Sequence, residues 1–66
     1  MSVAKHIEIT AESTESFEAA IQAGVAKASE TIKGIKSAWV KDQQVFVDGD
    51  SVTMYRVNMK VTFVLD

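Results

Sequence analysis

Tyr55-Arg56-Val57-Asn58-Met59-Lys60-Val61-Thr62-Phe63-Val64-Leu65 alternates in hydropathy over most of its length. Successive side chains of a β-strand point to opposite faces, so Tyr55, Val57, Met59, Val61, Phe63 and Leu65 form a core face. Arg56, Asn58, Lys60 and Thr62 form a polar one. Because a pattern of period two cannot sit on a helix, this stretch fixes the C-terminal part of the chain as a half-buried strand.

Working upstream, Asp48-Gly49 lies between two β-rich runs and marks a hairpin, since Gly accepts the positive φ of a tight turn. The preceding strand carries Ala38-Trp39-Val40 and Val45-Phe46-Val47, with the polar Asp42-Gln43-Gln44 between them where a bulge or twist is expected. Pairing around the turn places Trp39 roughly opposite Asn58 and on the same face as Arg56. Trp39 is therefore predicted on the polar side of the sheet.

Before that hairpin, Phe17, Ile21, Gly24, Ala28, Ile32 and Ile35 recur at three- and four-residue steps while Glu18, Gln22, Lys27, Glu30 and Lys33 fall elsewhere, the pattern of an amphipathic helix. Ser13 is the expected N-cap, Glu15 suits the first turn and Gly34 is placed to end the helix. Ala20, Gly24 and Ala28 keep one seam free of bulk, which lets a sheet approach closely and wrap the helix. From Val3 to Thr10 the residues alternate again, Val3, Lys5, Ile7 and Ile9 against Ala4, His6, Glu8 and Thr10, giving a first strand. The predicted class is α+β, in the order β-α-β-β, with a three-stranded antiparallel sheet around one helix. No linker or repeat divides residues 1-66, which are read as a single domain.

A chain of 66 residues buries only roughly 60% of its unfolded surface, too little for comfortable stability alone. With no Cys and a single His, disulfides and thiolate metal sites are excluded, and self-association is the remaining source of stability. A net charge of -2 without a basic patch argues against nucleic acid. Apolar runs are two or three residues long, far short of a membrane span, and the opening Met1-Ser2-Val3 carries no signal-peptide pattern, so a cytoplasmic location is expected.

Catalytic machinery is not expected: there is one His, no Cys, no glycine-rich phosphate loop and no carboxylate pair fixed on one rigid element. His6 reads as a solvated or interface residue. Asp48 and Asp50 lack the spacing of a calcium loop and are explained by the turn, so no metal ligands are assigned. Trp39 is the exception. It is the one large aromatic that the periodicity leaves outside the core, and it needs either a subunit interface or a planar ligand against it. Arg56 lying on the indole as a cation–π partner is the arrangement that would fill the position without either.

The chain resembles the dodecin family along nearly its whole length. The resemblance is carried by Lys5-His6-Ile7-Glu8-Ile9, Ser13-Thr14-Glu15-Ser16-Phe17, Ala19-Ala20-Ile21-Gln22-Ala23-Gly24 and Tyr55 through Phe63. It implies a hollow homododecamer, and in flavin-binding members riboflavin or related flavins pair near two-fold axes. There they stack on a Trp early in strand two and bond to a Gln in strand three. Aligned without gaps, those positions fall here on Ser37 and Arg56, and Trp39 lies two residues beyond the stacking position on the same face. Asp42 matches an acidic position near the flavin's polar chain. Tyr55-Arg56 instead resembles a branch of the family described as calcium-binding.

These features imply a non-enzymatic dodecamer that binds and stores or buffers a flavin (riboflavin, FMN or FAD) at inter-subunit sites, with Ser37, Trp39, Asp42, Arg56 and Asn58 as ligand-binding residues. Arg56, with five donors and no acceptor, suits a phosphate better than a flavin ring edge, which favours FMN, FAD or coenzyme A over riboflavin. The alternative is a shell that binds no flavin and has a structural role or one in binding calcium or another small ligand. The expected partners are further copies of the chain and a small molecule, with neither nucleic acid nor membrane.

Overall fold

The computed structural model describes residues 2–65. Its elements are β1 (Val3–Ser13), α1 (Phe17–Ser29), β2 (Ile35–Asp48) and β3 (Ser51–Leu65). The predicted α+β order is the observed one. The strands form one antiparallel sheet in the order β1-β3-β2, so the strand with the clearest alternation is the central one.

β1 is longer than its alternation suggests, because pairing with β3 continues to Ser13 opposite Tyr55. That pairing keeps Ser13 in the strand and takes the N-cap away from it. Ser13 Oγ instead accepts from Glu15 N–H at 2.9 Å, a local turn that lifts the chain out of the sheet. The cap is Ser16, extended at φ -169°, whose Oγ accepts from Ala19 N–H at 3.0 Å. Glu15 thus precedes the helix, and the acidic residue of the first turn is Glu18.

The helix also stops earlier than its apolar spacing suggests, at Ser29. Ile32 N–H still reaches Ala28 C=O at 2.9 Å, but Ile35 already belongs to β2. Gly34 does not cap the helix; it turns the chain into the sheet. Its φ is +80°, and a Cβ there would meet Val64 O at 3.0 Å, while its own C=O accepts from Val64 N–H.

Fully buried side chains are few: Ala20, Val57, Met59 and Val61. Ile9, Ala11, Phe17, Ile21, Ala38 and Val40 pack around this cluster, and Phe17 meets the Tyr55 ring edge-on at 5.1 Å. Helix and sheet are in close contact at Gly24, where a Cβ would lie 2.9 Å from Ala11 Cβ and 2.8 Å from Met59 Cε.

A helix of 13 residues is about 20 Å long, whereas a strand of 15 residues spans about 50 Å. The helix therefore covers less than half of the hairpin's length. Val45, Val47 and Val52 lie beyond it near the turn and remain exposed, as do Val3, Leu65 and Trp39. Burying such a side chain fully contributes about 1.5–3 kcal/mol, and none of these six gains the whole of it within the chain.

Candidate functional site

The helix leaves the other side of the sheet free, and that outer face carries all five residues singled out from the sequence. Three register irregularities in the β2–β3 pairing decide which side chains reach it. One lies between Val40 and Asp42, leaving Lys41 as an extra residue in β2. Trp39 faces Lys60 and Asp42 faces Asn58, so the expected pairing of Trp39 with Asn58 is replaced by one shifted along the strand. Without that bulge Asp42 would point toward the helix. The irregularity expected at Asp42-Gln43-Gln44 lies instead at Lys41, and the pairing from Asp42 to Gln44 is regular.

Rows of side chains cross the face from β2 through β3 to β1. Ser37, Thr62 and His6 form one row; Trp39, Lys60 and Glu8 the next; then Asp42, Asn58 and Thr10; then Gln44, Arg56 and Glu12. In the third row Thr10 Oγ1–H donates to Asn58 Oδ1 at 2.8 Å and Asn58 Nδ2–H donates to Asp42 Oδ1 at 2.5 Å. This chain fixes the orientation of the Asn58 amide, and Asp42 is an exposed residue.

In the fourth row Arg56 Nε–H donates to Glu12 Oε2 at 2.6 Å and its Nη2 also pairs with that oxygen. The guanidinium carbon lies 4.5 Å from the centre of the Phe46 ring. Arg56 thus does not lie on Trp39. The two residues are two rows apart, about 13 Å along the sheet, and the cation over the indole is Lys60, with Nζ 5.3 Å from the ring centre. Trp39 itself is 63% exposed, a flat platform at the edge of the sheet.

Lys41 reaches over β3 to Glu8 at 3.0 Å. The hydrogen bond and charge of Lys41, aided less strongly by Lys60 and His6, hold the Glu8 carboxyl below its ordinary range.

Asp42 and Asn58 are therefore in direct contact, Trp39 and Ser37 occupy the successive rows on one side, and Arg56 lies away from the indole on the other. Sequence reasoning did not single out Thr10, Glu12, Lys41, Phe46 and Lys60. Thr10 and Glu12 lie on the outer side by the alternation of β1, but their partners depend on a pairing between β1 and β3 separated by most of the chain. On the helix side, an open groove of 430 Å³ runs between β1 and the end of α1, lined chiefly by Ile7, Ile9, Ala28 and Ile32. Among the described residues, no three carboxylate or His side chains converge as a metal site, and no helix is long and apolar enough to cross a membrane.

Comparison with known proteins agrees with this fold. The family model named Dodecin matches residues 3–66. No curated protein matches the chain. Among solved structures, a variant of the Thermus thermophilus dodecin is 33% identical, with a TM-score of 0.93 over 100% of this chain and 98% of the other. Dodecin from Streptomyces davaonensis is 26% identical, with a TM-score of 0.92 over 98% and 96%. A calcium dodecin from Mycobacterium tuberculosis, described as a calcium-chelating antigen with a novel calcium-binding site, is 32% identical, with a TM-score of 0.84 over 98% and 93%.

Proposed function

This chain belongs to the dodecin family, and on that premise we propose that it binds, without transforming it, a flavin-type planar ligand on the Trp39 platform within a closed cytoplasmic homo-oligomer, the dodecamer. Dodecins are oligomeric and bind small ligands. The observation that carries the reading is the exposed indole of Trp39 in the row next to the exposed Asp42 carboxylate. An aromatic ring offers stacking to a flat heterocycle, and a carboxylate accepts from the hydroxyls of a sugar-like chain.

The fit to a flavin is partial in chemistry. Arg56, where the flavin-binding kind of dodecin is expected to present an amide, is closed on Glu12 and Phe46 and offers no acceptor to a ring edge. Stacking and the polar chain therefore contribute most of the affinity. The test is a titration of the purified oligomer with riboflavin and FMN, following flavin fluorescence and the emission of Trp39, the only tryptophan. Saturable quenching of both signals supports the reading; flat signals with both flavins remove it.

A second reading has its own support. Lys60 and Arg56 already cover the two aromatic rings of the outer face, and the calcium dodecin matches nearly the whole chain. In this reading the shell binds calcium and no flavin, with ligands drawn from more than one copy. Calcium-dependent stabilisation in the absence of flavin binding is its signature.

A further inference from the structure

Resting on the flavin-type reading of the Trp39 platform, we propose that Lys60 is its specificity residue and selects planar ligands that carry an anionic group. The role that residue chemistry alone assigns to Arg56 passes to Lys60 because the two cations have different surroundings. Arg56 is neutralised by Glu12 and Lys41 by Glu8. Glu8 faces Lys60 across the β1–β3 ladder and feels its charge, but the hydrogen-bonded ion pair of Glu8 is with Lys41. Among the described residues no carboxylate lies within ion-pair distance of Lys60, and its ammonium rests on the indole instead.

A planar ring that stacks on the Lys60 side of Trp39 displaces that ammonium and so loses the cation–π contact. A neutral ligand returns nothing for it. A ligand with its own phosphate gives the displaced ammonium a charge-assisted hydrogen bond, which is stronger than one between neutral groups.

Riboflavin and FMN share one ring and differ by a phosphate, so their affinity ratio isolates the effect. The experiment measures both dissociation constants at low salt for the wild-type oligomer, Lys60→Met and Lys60→Arg, with assembly checked by native mass. FMN is expected to bind about five- to tenfold more tightly than riboflavin to the wild type, as for one charge-assisted contact. Lys60→Met should bring the ratio to about one, by weakening FMN and not riboflavin, while Lys60→Arg retains the preference. Added salt should erode it. Equal binding of the two flavins by the wild type, or a preference that survives in Lys60→Met, overturns the role of Lys60 and leaves the platform itself standing. Binding of neither flavin sinks both.

Discussion

Arg56 and Glu12 close on each other across the β1–β3 ladder, and the guanidinium lies against the Phe46 ring of β2. One contact thus joins all three strands on the face that the helix does not cover. It also keeps Arg56 away from the Trp39 indole, where the sequence suggests a cation.

Both side chains of this pair are about one-third exposed, so its contribution is modest. A double-mutant cycle with Glu12→Gln and Arg56→Met should give a coupling of about 0.5–1 kcal/mol in urea denaturation, falling with salt. Arg56→Ala should leave the FMN-to-riboflavin ratio unchanged. A loss of FMN preference in that variant would return the phosphate-binding role to Arg56.

Gly24→Ala separates two opposed effects. In an open helix the change is favourable by about 1 kcal/mol. Here the new Cβ would meet Ala11 Cβ at 2.9 Å, and while the Met59 tip can move, Ala11 moves only with the backbone of β1. Net destabilisation of about 1–3 kcal/mol is expected from thermal melting. A raised Tm would show that the helix and β1 are not in close contact there.

Val57 sits with no exposed surface at the centre of the core. Val57→Asp leaves an unpaired charge with no water and no partner, and expression should give no soluble folded protein. Phe63→Asp should also be defective, though less so, because Phe63 is only half-buried.

Glu8 supplies a pH dependence. Its carboxyl is held below its ordinary value of 4.5 by Lys41, so the folded state binds the proton less readily than the unfolded one. The stabilisation is present above about that pH and is lost as pH falls through the lowered folded value. An NMR titration of the Glu8 carboxyl should show the lowered midpoint, returning toward the ordinary one in Lys41→Met. No change in that variant would mean the pair does not persist in solution.

Trp39→Ala tests the platform against the interface. Assembly should persist while flavin affinity falls by about tenfold, the scale of one lost stacking contact. Lost assembly with unchanged flavin binding would make Trp39 an interface anchor only.

The alternation from Tyr55 to Leu65, the turn at Asp48-Gly49 and the spacing from Phe17 to Ala28 determine the element order and the core face. Each is a local signal: a side chain's direction follows from its position in a strand or helix, and a tight turn selects its own residues. Local signals also say that Trp39 stands apart from the core. They do not say where elements stop. Ser13, Thr14 and Ser16 are all of types that can cap a helix, and the choice falls on Ser16 because pairing with Tyr55 holds Ser13 in the sheet. Ile32 and Ile35 continue the helical spacing, yet the chain must leave the helix to reach its place beside β3.

The site depended most on tertiary structure. Trp39 and Asp42 are three residues apart and would lie on opposite faces of a regular strand. They share a face because Lys41 is an extra residue in the β2–β3 ladder. A bulge is set by how two strands twist over a core, and the partners of Arg56, Asn58 and Lys60 come from strands distant in sequence. Residue chemistry named the cations and aromatics of this face, while the register between strands decided which of them met.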